Sequence, residues 1–204
     1  MNLKEKYAEL LANIGFDEKA IEKNWFDLEK AYSKKSRYYH NLTHINDMIE
    51  CFEMYFDKLQ FPNEVLYSIF YHDYIYVSSK KDNELKSAEF AVKILPKSSN
   101  INQKLVFDMI CATQLHQHNE VEDINWLIDF DLKILARGWS EYQIYFEQIR
   151  KEYRIYPDFL YKPGRAKALK HFLEYDSIFQ TDVFRKLYEK KARTNIEREV
   201  LFLT

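Results

Sequence analysis

Apolar residues recur along this chain at helical spacing, and their faces mark out a succession of elements. From about residue 3 to 14, Leu3, Tyr7, Leu10, Leu11 and Ile14 share one face of an amphipathic helix. A second helix runs from Asp17, a suitable N-cap, to about Ser33 and turns Ile21, Trp25, Leu28 and Tyr32 inward. The polar basic turn Ser33-Lys34-Lys35-Ser36-Arg37 follows. Asn41 then caps a helix predicted to reach about Leu59, with Ile45, Met48, Ile49, Phe52, Phe56 and Leu59 on its apolar face. Pro62 opens the next helix, since proline favours the first helical position. Beyond a polar loop from Val77 to Asp82, Leu85, Ala88, Ala91, Val92 and Leu95 line a helix stopped by Pro96, and its alanines allow close approach of a neighbour. Leu105, Val106, Met109 and Ile110 mark a helix from about Ile101, and Leu127, Phe130, Ile134 and Leu135 mark another. The remainder reads as amphipathic helix over Tyr142–Tyr153, Pro157 to about Phe172, and about Val183 to Leu203. No internal repeat or linker interrupts the pattern, which predicts one all-α domain over residues 1–204.

Composition sharpens this reading. Gly 3 and Pro 4 leave too few turn residues for a barrel, a sandwich or a Gly-rich phosphate loop. Lys+Arg 30 against Asp+Glu 32 gives a net charge of −2, without the basic excess of a nucleic-acid binder. Cys51 and Cys111 lie in apolar helical runs and read as buried hydrophobes, which fits a reducing, cytoplasmic setting. No apolar stretch reaches membrane-spanning length, and Lys4, Glu5 and Lys6 open the chain without the long apolar run of a signal peptide.

Polar residues break the apolar faces at a few places. Extending the Leu66, Ile69, Phe70 face by three or four positions lands on Asp73, with His72 at its edge. His44 shares a row with Met48 and Phe52. Asp131 lies on the face of Leu127 and Phe130, whereas Asp129 turns well away from it. The face of Leu105 and Met109 continues to Thr113 and His116, and His118 falls off it. An unpaired buried carboxylate is costly or takes up a proton, so a partner is needed. His44, His72, Asp73 and Asp131 together form a mixed nitrogen and oxygen donor set. It suits a divalent Mn, Fe, Ni, Co, Zn or Mg ion, lacks the thiolates of a structural zinc site, and leaves positions open for water and substrate. Arg37, Lys80, Lys81 and Arg150 are candidates to meet phosphate.

The order His44…His72-Asp73…Asp131 resembles the signature of the HD-domain metal-dependent phosphohydrolases. The likeness is greatest to small bacterial predicted members of about this length, and it extends over nearly the whole chain. It is carried by Arg37-Tyr38-Tyr39-His40-Asn41-Leu42-Thr43-His44, Phe70-Tyr71-His72-Asp73, Asn83-Glu84-x-x-Ser87-Ala88, Asp129-x-Asp131-Leu132, Ile149-Arg150-x-Glu152-Tyr153, Gly164-Arg165 and Ala192-Arg193-x-Asn195. Tyr39-His40-Asn41-x-x-His44 also looks like the cyclic-nucleotide phosphodiesterase branch. That branch's further metal-site and glutamine base-recognition features have no counterpart here, so cyclic-nucleotide specificity does not carry over.

The resemblance implies a compact multi-helix HD-domain bundle with a central metal site, hydrolysing a phosphate mono- or diester of a nucleotide or other small phosphorylated metabolite. His44, His72, Asp73 and Asp131 would hold the metal, with His116 joining for a second ion. His40 would protonate the leaving oxygen, and Glu84 would orient the attacking water or take up its proton. A homodimer is compatible with this reading. Two alternatives share the scaffold: a catalytically silent metal- or nucleotide-binding regulatory module, and a di-iron oxygenase requiring His116.

Overall fold

The computed structural model describes residues 2–204, and the described chain is an all-α bundle. Its helices are α1 (Leu3–Asn13), α2 (Glu18–Tyr32), α3 (Leu42–Met54), α4 (Pro62–Tyr71), α5 (Asn83–Lys93), α6 (Gln103–Ala112), α7 (Glu122–Leu132), α8 (Trp139–Glu152), α9 (Asp158–Glu174) and α10 (Asp182–Leu203), with 3₁₀ turns at Phe56–Lys58 and Lys133–Ala136. None of them is long and apolar enough to cross a membrane.

Local chemistry sets the starts of these helices. Asn2 and Glu5 form a capping box on α1, and the side chains of Asp17, Asn41 and Asn102 accept from the first-turn amides of α2, α3 and α6. Pro62 opens α4, and the buried Asp123 carboxylate fixes the approach to it by accepting from the backbone of Gln60 (3.1 Å) and Phe61 (2.6 Å).

Helices α4 and α7 form the centre. Val65 and Tyr67 through Tyr71 are all buried, as is every residue from Asp123 to Phe130. A helix apolar around most of its circumference needs neighbours on every side, and α4 has them in α1, α3, α5, α6 and α7. Tyrosine hydroxyls in this core find partners: Tyr7 and Tyr71 bond each other at 2.5 Å, and Tyr32 donates to the Phe70 carbonyl. Both central helices end at one place, so α4 delivers His72 and Asp73 where the first turn of α3 delivers His44 and the last turn of α7 delivers Asp131.

Several faces differ from the periodic reading. Helix α3 stops at Met54, and the following 3₁₀ turn leaves Phe56 49% exposed, so the predicted helix to Leu59 is two elements. On α5 the buried positions are Asn83, Ser87, Ala88 and Ala91, which turns Leu85 outward at 43% exposure. Small residues let α5 lie close on α6, and Asn83 and Ser87 face inward because each bonds the backbone of the 75–77 turn. His72 caps the C-terminus of α4 and Asp73 lies just beyond it, whereas the periodicity placed both within the helix.

Candidate metal centre

One donor atom each from His44, His72 and Asp131 lies within 4.8 Å of the others. His44 Nε2 is 3.3 Å from His72 Nε2 and 3.2 Å from Asp131 Oδ1, and Asp73 Oδ2 is 3.2 Å from His72 Nε2. The backbone fixes the tautomer of His72: its Nδ1 is 2.9 Å from the Ile69 carbonyl, which only accepts, so Nδ1 carries a proton and Nε2 faces the cluster. Two imidazole nitrogens directed at each other, flanked by carboxylates, are what a shared cation requires of its ligands. The site also lies at the C-terminal ends of α4 and α7, where the helix dipoles favour positive charge.

Charge balance supports the fit. With neutral imidazoles, the buried Asp73 and the partly buried Asp131 leave two negative charges, which a divalent cation would offset. In the absence of a cation, a proton serves instead. Burial alone would depress His72, but Asp73 and Asp131 override it and raise its pKa to about 9. Burial likewise opposes the charged forms of Asp73 and Asp131. For Asp73 the His72 and His40 charges prevail, and for Asp131 the bonds from His116 and His44 do, so both lie below the usual carboxylate range. A metal and the His72 proton therefore compete for one nitrogen.

His116 touches the same group from outside. Its Nε2 is 2.9 Å from Asp131 Oδ2, while Oδ1 of that carboxylate faces His44. The His116 backbone is left-handed (φ 52), the only non-glycine residue with positive φ among the described residues, and its carbonyl accepts from Gln180 Nε2 at 3.0 Å. So disposed, His116 orients Asp131. Glu84, in the first turn of α5, is half-buried and bonds no other side chain; burial and the nearby Asp73 charge raise its pKa, with His116 and His72 opposing.

Beside the cluster, His40 is held by Glu152. Glu152 Oε1 accepts the backbone amides of Tyr38 (2.8 Å), Tyr39 (2.8 Å) and His40 (3.0 Å), and Oε2 lies 2.6 Å from His40 Nδ1 and 2.9 Å from the Tyr76 hydroxyl. A carboxylate surrounded by donors takes the His40 Nδ1 proton in a hydrogen bond and leaves Nε2 as the free nitrogen of the ring. The ring stacks on Tyr76 at 4.3 Å between centroids, and its centroid is 6.0 Å from that of His44. Burial would lower the His40 pKa, but Asp73 and the Glu152 bond raise it overall. In the sequence Glu152 stands out only within Ile149-Arg150-x-Glu152-Tyr153, yet Tyr142, Tyr145, Ile149 and Glu152 share one buried face of α8.

The basic candidates divide. Lys80 and Lys81 are exposed at the rim of a cleft that His40 also lines. Arg37 and Arg150 are structural residues rather than phosphate ligands: every Arg150 nitrogen donates within the protein, and so do both terminal nitrogens of Arg37, whose buried Nε alone has no partner. Arg37 is buried and donates to the carbonyls of His40, Asp73 and Tyr74, tying the 37–40 loop to the residues after α4. Arg150 grips Asp158 and the carbonyls of Tyr153 and Tyr156, with its guanidinium 4.6 Å over the Tyr161 ring. Asp129, which the periodicity turns away from the apolar face, is instead fully buried: it accepts from the backbone of Gln180 and Thr181 and from the Thr181 hydroxyl. His118 is exposed.

No protein-family model matches the chain, and no curated protein or solved structure matches it.

Proposed function

We propose that the chain is a metal-dependent phosphohydrolase of the HD-domain type, acting on a phosphate mono- or diester of a small metabolite. The observation that carries this reading is the convergence of His44 and His72 Nε2, 3.3 Å apart, with the Asp131 and Asp73 carboxylates beside them. His44, His72, Asp73 and Asp131 would hold a divalent ion, which when bound supplies Lewis-acid polarisation of a phosphoryl oxygen and activation of water. His40 then does the proton work. Its Nδ1–H stays on Glu152 throughout, so Nε2 is the nitrogen that gives its proton to the departing oxygen as the P–O bond breaks. Glu152 and Tyr76 hold the ring in one orientation, and the carboxylate stabilises the imidazolium before the transfer. Glu84, with no side-chain partner, is disposed to accept a proton from the attacking water.

The test is turnover of 4-nitrophenyl phosphate and bis(4-nitrophenyl) phosphate with each of Mn²⁺, Fe²⁺, Co²⁺, Ni²⁺, Zn²⁺ and Mg²⁺. Cation-dependent release of 4-nitrophenol, abolished in His72→Ala and reduced roughly 10²–10⁴-fold in His40→Asn with metal content unchanged, is the expected outcome. Hydrolysis unaffected by His72→Ala would remove the reading.

A further inference from the structure

A cleft of about 510 Å³ lies between α8, α9 and the α4–α5 connection, a volume within the usual range for small-molecule sites of roughly 300–1,000 Å³. His40 stands in its wall, so the cleft adjoins the metal-ligand cluster. Tyr145, Tyr153, Tyr156 and Tyr161 supply much of the remaining lining, and no carboxylate is among the lining residues. Lys80 and Lys81 line the exposed rim of the same cleft, and neither ammonium has an ionic partner among the described residues. Arg165 also faces the cleft, but both oxygens of the buried Glu199 hold its guanidinium, at 2.8 and 3.2 Å.

Gly164 adds a separate observation. It lies inside α9, where glycine is among the poorest helix formers, and it lines this cleft. A Cβ built there meets nothing within 4 Å, and the backbone φ lies outside the left-handed region, so neither packing nor conformation calls for glycine. The missing side chain leaves that stretch of the cleft wall open.

We propose that this cleft receives the substrate's leaving group, a flat aromatic or heteroaromatic ring bearing a second anionic substituent. Tyrosine faces and edges suit a planar ring, the absence of carboxylates admits negative charge, and Lys80 and Lys81 are the free cations that would meet it. The proposal rests on the hydrolase reading only for the position of the scissile phosphate. The preference for a ring and a second anion is a property of the cleft itself.

The experiment measures binding of three non-hydrolysable probes to the Mn²⁺-loaded full chain by calorimetry: propylphosphonate, benzylphosphonate and 4-(phosphonomethyl)benzoate. Benzylphosphonate is expected to bind at least tenfold more tightly than propylphosphonate, and the added carboxylate to gain a further severalfold. Lys80→Ala/Lys81→Ala should erase the carboxylate's gain alone. Gly164→Met should weaken both ring-bearing probes at least fivefold, with propylphosphonate unchanged and the thermal midpoint not lowered. Equal affinities for the three probes, no binding by any of them, or variant effects common to all three would overturn the proposal. Ring preference without turnover of 4-nitrophenyl phosphate would leave the cleft's assignment standing and remove the hydrolase reading; turnover without ring preference would do the reverse.

Discussion

Replacing Glu152 separates its two tasks, holding a loop and tuning a histidine. In Glu152→Ala the amides of Tyr38, Tyr39 and His40 lose their shared acceptor, and the Tyr76 hydroxyl and His40 Nδ1 lose theirs. Each buried donor left unsatisfied costs about 1–3 kcal/mol. Because water reaches the partly buried loop, the expected total is about 3–5 kcal/mol rather than the full sum. For a chain of this size that is a fall of roughly 6–20 °C in the thermal midpoint. Glu152→Gln keeps one oxygen for the three amides and should cost only about 1–2 kcal/mol. Its amide, however, donates to His40 Nδ1, which moves the neutral ring's proton to Nε2 and removes the support of the carboxylate for the imidazolium. The His40 pKa should then fall by on the order of one unit, since an adjacent opposite charge typically shifts a pKa by about 1–3. Proton NMR titration of His40, assigned with His40→Asn, reads the shift directly. In turnover, an acid that must be protonated loses activity as pH rises through its pKa, so the alkaline limb of kcat/KM should move to lower pH in Glu152→Gln. An unmoved His40 titration and alkaline limb, or a Glu152→Ala protein less than about 1 kcal/mol destabilised, would refute the reasoning.

Three further outcomes are expected. Arg37→Met should destabilise by about 2–4 kcal/mol in urea unfolding, because three carbonyls lose a charged donor, while the metal-loaded fraction that stays folded keeps its KM; a raised KM without destabilisation would return Arg37 to the substrate. His116→Ala should weaken metal affinity roughly 10–100-fold by releasing Asp131, measured by competition with a fluorescent chelator, and unchanged affinity would contradict the orienting role. Burial pushes Asp129 up to about 7, against the opposing bonds from Thr181 and Gln180. Its folded pKa then exceeds an unfolded value of about 3.9, so the folded state holds the extra proton between those limits. Relative to Asp129→Asn, wild-type stability should fall as pH rises from about 4 to about 7 and level off above; parallel curves in urea unfolding across that range would contradict the assignment.

Much of the site was legible because a carboxylate or imidazole on an apolar helical face needs a partner. That reasoning found His44, His72, Asp73 and Asp131, which converge from the first turn of α3 and the ends of α4 and α7. The same signal marks Glu152, through Tyr142, Tyr145 and Ile149. What periodicity cannot hold is the use of a polar group by distant backbone. Arg37 serves carbonyls at His40, Asp73 and Tyr74, and Asp129 serves amides at Gln180 and Thr181, so their roles exist only once the fold has brought those segments together. On α5 Ala88 and Ala91 lie inward as the pattern predicts, but the hydrogen-bonded Ser87 joins them in the buried stripe while the larger Leu85 points to solvent.

Elemental mass spectrometry of the chain, purified without added metal and then after dialysis against Mn²⁺ or Mg²⁺, tests the cluster most directly when run beside His72→Ala and Asp131→Ala. The account predicts one or two divalent ions per wild-type chain, lost in both variants while their helical circular dichroism is retained. Equal metal content in wild type and variants, or no ion bound by wild type under any of these conditions, would contradict it.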